Sequence, residues 1–316
     1  MPQAQVTPQY NADRPVFPIQ TIKRVLQQEF SLELQELRQL DVAQSGDSSA
    51  IYLSTHGKQQ VVVKIGREPR KFRVEVAGLA LLAASNIPAP RTIAHTDNAT
   101  LINRPVMVQT RAPGEPLSKL LPETDRLAVW EDAGTVLKRM HAIPLDGFGR
   151  LDTSDGQLKG EHDHFTPWIQ EFLLYIDYVC EHQFITAAKA ARIRDVYSEI
   201  VTQRQSIGAS FLHADLQGPH IFTNGQRVTA FIDIASAMAG DPLYDIAYAH
   251  YFMTPEERVS FDRGYGQAAT DPLVWKYFLL IAVGKIRYRH RKGFTHRLPS
   301  AIEKLAEGLQ ATGIRD

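Results

Sequence analysis

The chain has 316 residues, 44% hydrophobic and 22% charged, with Lys plus Arg and Asp plus Glu each totalling 35. At roughly 150 residues per domain this length favours two lobes. The neutral balance announces no polyanionic partner, so nucleic acid is not expected, and no apolar run approaches the roughly 20 residues needed to cross a bilayer, so neither is a membrane. Residues 1–18 are polar, carry four prolines and lack an apolar h-region, which predicts a loosely ordered, flexible arm and no signal peptide. The single cysteine, Cys180, cannot form an internal disulfide and falls in an apolar helical pattern, so a buried structural thiol in a cytoplasmic protein is expected.

Residues 19–111 form the expected N-terminal lobe. Strands are predicted at Leu37 to Ala43, Ala50 to Ser54 and Gln60 to Ile65, where three consecutive valines suit a pleated, buried environment. Apolar residues at Phe72, Val76, Leu79 and Ala83 predict a helix over 67–84, stopped by Asn86, Pro88 and Pro90. Further strands are expected at 91–94, 100–103 and 106–110, before Ala112-Pro-Gly-Glu-Pro116 breaks the pattern. Residues 112–316 form the second lobe, with helical periodicity at 126–141, 168–182, 187–202 and 273–289. Two short β-like pieces, 221–223 and 228–232, are joined by the hairpin signal Asn224-Gly225.

Asp215 precedes that hairpin and Asp233 follows it, which brings two carboxylates to one end of a small ribbon. Phosphoryl transfer from a nucleotide needs Mg²⁺ at the β and γ phosphates and a carboxylate on the attacking hydroxyl, and the two aspartates suit those roles. His220 offers a further ligand through neutral imidazole, a softer donor than Mg²⁺ usually takes. His213 suits a structural role that shapes the loop. An isolated aspartate near a turn is more often an Asx-turn or helix cap.

The arrangement His213-x-Asp215-x4-His220, a hairpin, Ile232-Asp233, and then Gly240-Asp241-Pro242-x2-Asp245 resembles the aminoglycoside phosphotransferase family and related small-molecule kinases. The likeness runs from about Leu37 to Ala249. It implies an α+β, two-lobed, protein-kinase-like fold, with an antiparallel N-terminal sheet carrying one helix and a mostly helical C-terminal lobe. It also implies that Asp215 is catalytic, that Asp233 is the principal Mg²⁺ ligand, and that His220 stands where the family usually has a ligating asparagine. In the first lobe it implies a nucleotide-covering loop at Ser45, Gly46, Asp47 and Ser48, a phosphate-binding Lys64, and Glu75 to orient that lysine. Backbone near Gln109 and Arg111 would take the base. Asp241 and Asp245 would brace the catalytic loop.

The expected reaction is transfer of the γ-phosphoryl group of ATP or GTP, with Mg²⁺, to a hydroxyl of a small molecule. Aminoglycosides and other antibiotics are among the acceptors the resemblance admits. Glu161, Asp163, Glu171, Asp177 and Glu181 would suit a polycation, whereas the basic run from Lys276 to Arg297 would not, and that run suits an ordinary solvated face better than a phosphate site. Trp168, Phe172, Tyr175 and Tyr178 suit an acceptor wall or, more commonly, core. Two other readings stay open: a catalytically inactive nucleotide-binding regulator, motivated by His220, and a metal-dependent hydrolase that would have no need of Lys64 and Glu75.

Overall fold

The computed structural model describes residues 17–40, 49–120, 123–153 and 156–315. Most of the expected N-terminal arm, the end of the first predicted strand and the loop Ser45 to Ser48 therefore lie outside the described residues. The chain forms two compact units, one of residues up to Ala80 with Pro90–Arg111, the other of Leu81–Ala89 with Ala112 onward.

The first unit comprises α1 (Ile19–Phe30), β1 (Gln35–Gln39), β2 (Ala50–His56), β3 (Gln59–Ile65), most of α2 (Pro69–Ala84), β4 (Thr92–Ala99) and β5 (Arg104–Thr110). The strands form one antiparallel sheet in the order β1-β2-β3-β5-β4. Strict alternation decides its faces: Ala50 and Tyr52 of β2 and Val61, Val63 and Ile65 of β3 are buried with Ile22, Val25 and Leu26 of α1. The even positions of β3 point the other way, and Lys64 is one of them. Residues 100–103 make the turn between β4 and β5 and not the predicted strand, because Asn103 takes a left-handed backbone (φ 49°) that no strand allows.

The second unit contains β6 (Glu115–Pro116), α3 (Glu123–His141), β7 (Pro144–Leu145), β8 (Phe148–Asp152), β9 (Lys159–His162), α4 (Phe165–Ile169), α5 (Glu171–Glu181) and α6 (Ala187–Arg204). It continues through β10 (Ala209–Leu212), β11 (Ile221–Thr223), β12 (Val228–Phe231), β13 (Met238–Gly240), α7 (Pro242–Tyr251), α8 (Pro255–Tyr265), α9 (Pro272–Arg291) and α10 (Leu298–Ala311). Helices dominate as expected, and two small sheets, ordered β7-β10-β13-β8-β9 and β12-β11-β6, sit among them.

Helices α7, α8 and α9 open alike, each with an Asp or Thr whose side chain accepts the first free amides and a proline at the first helical position. Cys180 is only half-buried, because the buried stripe of α5 runs through Phe172, Ile176 and Val179 beside it. The β11–β12 loop spans 224–227 and is no two-residue turn: the Asn224 side chain accepts the amides of Gln226 and Arg227. No helix among the described residues is long and apolar enough to cross a membrane.

Gly114 lets β6 reach the hairpin. Its φ is +82°, and a Cβ there would lie 2.0 Å from the Thr223 carbonyl oxygen, in the register where Glu115 pairs with Thr223. Gly114→Ala should therefore destabilise the protein by about 2–3 kcal/mol, through positive-φ strain and that backbone clash. Urea unfolding of the variant beside the parent protein measures this.

Candidate active site

In the first unit, Lys64 Nζ donates to Glu75 Oε1, and the pair lies almost out of solvent, with the glutamate residue 1% exposed. Strand β3 and helix α2 bring together two residues eleven apart in sequence. A lysine facing away from its own core cluster needs a structured partner, and the ion pair holds its ammonium in one place. Gln109 is buried in β5, paired with Val62 on one side and Thr92 on the other. The Arg111 amide donates to the Gln60 carbonyl and its guanidinium to Gln60 Oε1 at 2.7 Å, so both residues are engaged within the sheet.

In the second unit, the loop after β10 is built around the carboxylate of Asp245, fully buried on the first turn of α7. Its Oδ2 accepts the His213 amide at 2.6 Å and its Oδ1 accepts the Ala214 amide at 2.8 Å. His141 of α3 donates to Oδ2 from Nε2 at 3.0 Å. Burial alone pushes this carboxyl up, but the hydrogen bond and charge of His141 and the amide of His213 prevail and hold it below the usual carboxylate range. Two amides pinned to one carboxylate leave Ala214 in the left-handed region, φ 58°. Asp241, four residues earlier, caps α7 and receives Arg204 in a two-pronged contact at 2.6 and 2.8 Å, together with the Tyr277 hydroxyl.

His213 turns inward. Its Nε2 meets the Ile232 carbonyl at 3.0 Å, which can only accept, so the proton is on Nε2 and Nδ1 accepts the Asp215 amide at 3.3 Å. Burial lowers the basicity of this ring, so it stays neutral and ties the loop to the end of β12, as its structural reading requires.

Asp215 turns outward from this frame. The ligand atoms of Asp215, His220 and Asp233 lie within 4.8 Å of one another, so the structure brings together the three residues singled out by spacing. His220 Nδ1 donates to the Asp215 carbonyl at 2.7 Å, which leaves the Nε2 lone pair on the side of Asp233, 3.8 Å from its Oδ2. Asp233 holds φ 64° at the end of the hairpin. The Asp233 carboxylate and the oriented His220 imidazole, with Asp215 beside them, fit a divalent cation, and the imidazole is compatible with Mg²⁺ when the remaining ligands are oxygens.

Two side chains in contact with Asp215 were not evident from spacing. Gln217 donates to Asp215 Oδ1 at 3.2 Å and the Tyr248 hydroxyl donates to the same oxygen at 3.1 Å. Tyr248 lies three residues after Asp245 and so one turn along the same helix face, a signal that could have found it. Part of the basic run has partners within the second unit, while Arg291, Lys292 and Arg297 are exposed. Lys276 pairs with Glu199, Arg287 stacks on Tyr175 at 4.4 Å, and Arg289 donates to the Arg297 carbonyl and Ser300. Trp168 and Phe172 are core, packed with Phe148, Phe165 and Tyr244.

The sequence matches the model of the phosphotransferase enzyme family over residues 40–278. Among similar solved structures is a thermostable mutant of aminoglycoside phosphotransferase APH(4)-Ia in ternary complex with AMP-PNP and hygromycin B. It has a TM-score of 0.73 and 21% identity, with 92% of this chain and 98% of that one covered. Spectinomycin phosphotransferase APH(9)-Ia, in complex with ADP and spectinomycin, gives 0.66 and 14%, over 95% and 98%. A GDP and kanamycin complex of an APH(2") enzyme gives 0.66 and 15%, over 92% and 98%. These likenesses establish the α+β, kinase-like fold. No curated protein matches the sequence significantly.

Asp245→Asn replaces an acceptor of three donors by a group that brings two donors of its own, and should cost about 3–5 kcal/mol at neutral pH. Because the folded carboxyl lies below its unfolded value of about 3.9, its contribution is complete above that pH and is lost as pH falls through the folded value. The stability gap between parent and variant, measured by urea unfolding, should therefore be constant near neutrality and narrow below about pH 4.

Proposed function

Since the chain belongs to the phosphotransferase enzyme family, and so is a nucleotide-dependent kinase of small molecules, we propose that it moves the γ-phosphoryl group of ATP or GTP to a hydroxyl of an aminoglycoside or another hydroxylated antibiotic. The observation that carries this reading is the Asp215, His220 and Asp233 cluster on a loop braced by a buried carboxylate. Lys64 holds the α and β phosphates and Glu75 keeps its ammonium aimed, while Gln109 and Arg111 border the base. On the sequence pattern alone, Ser45, Gly46, Asp47 and Ser48 are assigned to phosphate contact.

Asp233 and His220 Nε2 would hold Mg²⁺, which when bound with the nucleotide neutralises charge on the β and γ phosphates. Asp215 accepts the hydrogen bond of the acceptor hydroxyl and orients its oxygen toward the γ phosphorus. As the new P–O bond forms, the bond from phosphorus to the β–γ bridging oxygen breaks. The nucleoside diphosphate leaves with that electron pair and Asp215 receives the proton, with most of the acceleration coming from positioning and charge. No phosphoenzyme is required.

Support for the acceptor comes from a cavity of about 440 Å³ lined by Glu161, His162, Trp168, Glu171, Leu174 and Met238. Two carboxylates against an apolar wall suit an amino sugar with an apolar face. Met238 pairs with Leu212, the residue just before the catalytic loop. The solved relatives named above hold hygromycin B, kanamycin and spectinomycin, which makes these the first acceptors to assay.

Labelled ATP or GTP with Mg²⁺ and those three compounds should give a phosphorylated acceptor, detected by mass spectrometry. Asp215→Ala should lower turnover by about 10³-fold with nucleotide affinity kept, and retained turnover would sink the assignment. Lys64→Ala should weaken nucleotide binding about tenfold or more and abolish transfer. Transfer untouched by Lys64→Ala would overturn the phosphate-binding role given to Lys64.

A further inference from the structure

The basic run on α9 contains one lysine that the proposed mechanism leaves unused and that turns inward. Lys285 follows the buried stretch Tyr277 to Val283. Its Nζ donates to the Tyr248 hydroxyl and sits 4.3 Å from the centre of the Tyr248 ring and 5.1 Å from that of Phe252. Tyr248 in turn donates to Asp215 Oδ1 at 3.1 Å.

An ammonium has only donors to give. When Lys285 points at the phenolic oxygen, that oxygen must accept, and its single hydrogen is directed onward to the carboxylate. The chain Lys285 to Tyr248 to Asp215 therefore runs one way, and each bond polarises the next. Gln217 adds a second donor to the same Asp215 oxygen at 3.2 Å. Oδ1 is thus held by two donors, and Oδ2 is left on the side of His220, 3.5 Å from its Nδ1.

We propose that Lys285 is a positioning residue for phosphoryl transfer, acting through Tyr248 to fix the Asp215 carboxylate so that Oδ2 faces the acceptor hydroxyl. The proposal rests on the role given above to Asp215. The ionisation of both partners is consistent with it. Burial pushes the Lys285 ammonium down to about 8, with the Asp215 charge pulling it up and Arg289 pushing it further down. Burial, with the Asp215 charge, also pushes the Tyr248 phenol well up, so the phenol keeps its proton and remains a donor. The aromatic faces of Tyr248 and Phe252 suit a cation at this place. A lysine that merely filled space would have no need of its charge.

The test uses the full chain with Lys285→Met, which keeps length and an apolar stem, Lys285→Arg, which keeps the charge, Tyr248→Phe, and the double variant Lys285→Met with Tyr248→Phe. With MgATP or MgGTP and an acceptor from the panel, or water where none is used, Lys285→Met should lower kcat by about tenfold or more with nucleotide KM within about threefold. Tyr248→Phe should match it, the double variant should fall no further, and Lys285→Arg should recover part of the loss. An unchanged kcat in Lys285→Met, or losses that multiply in the double variant, would overturn the proposal.

A crystal structure of Lys285→Met supplies a readout independent of turnover. The Tyr248 hydroxyl should leave hydrogen-bond reach of Asp215 Oδ1, and a contact that persists unchanged overturns the clamp. If the parent protein transfers phosphate to no acceptor of the panel with either nucleotide, the acceptor class proposed above fails, and the crystal structure alone then decides the clamp.

Discussion

A buried carboxylate without donors is among the most costly things a fold can contain, and Asp245 is 0% exposed. Its cost is met by three donors, two of them backbone amides of the loop after β10 and the third a histidine on another helix. Those bonds dictate the loop. They put Ala214 into a left-handed turn, send His213 into the core and turn Asp215 outward, where His220 and Asp233 meet it. Asp241 does the same for the helix that carries Asp245, capping its first turn and anchoring it to Arg204 and Tyr277. The segment from Asp241 to Tyr248 is thus one device. Its first aspartate fixes the helix, its second fixes the loop, and its last residue, Tyr248, touches the carboxylate proposed to do the chemistry.

Charge elsewhere in the second unit is arranged by the same economy. The cations of α9 spend much of their capacity on aromatic rings, on Glu199 and on carbonyls near the next helix. The run that suggests an open basic surface is therefore divided: Lys276, Lys285, Arg287 and Arg289 have partners within the second unit, where long cationic stems lie along apolar surface or heads rest on ring faces, while Arg291, Lys292 and Arg297 are exposed. In the first unit the Lys64 and Glu75 pair holds a charge in place on the sheet face opposite the core, a geometry suited to phosphate recognition.

Much of the fold was legible where local rules dominate. Strand alternation in β2 and β3 set which side of the sheet is buried and which carries Lys64, and the apolar period of α2 and α9 located those helices. Local rules misled where a turn could imitate a strand, as at 100–103, or where a helix was too evenly apolar to show a period. Helix α7 is buried almost throughout its ten residues, so periodicity could not reveal it, although its Asp-Pro opening could. The short strands β7, β8, β9 and β13 were missed because two to five residues carry too little pattern, and, apart from β8 with β9, they pair with segments distant in sequence.

The sequence by itself determined the order of the candidate site residues: Lys64 and Glu75, then Asp215, His220 and Asp233, then the two bracing aspartates. Spacing and residue type are properties of the chain, and they sufficed to identify the family pattern. Only the tertiary structure decided orientation. It set which nitrogen of His220 remains available, which oxygen of Asp215 is held by donors, and that Lys285, seventy residues beyond Asp215, reaches it through a tyrosine. Those facts depend on hydrogen bonds between elements far apart in sequence, whose geometry exists only once the core has packed.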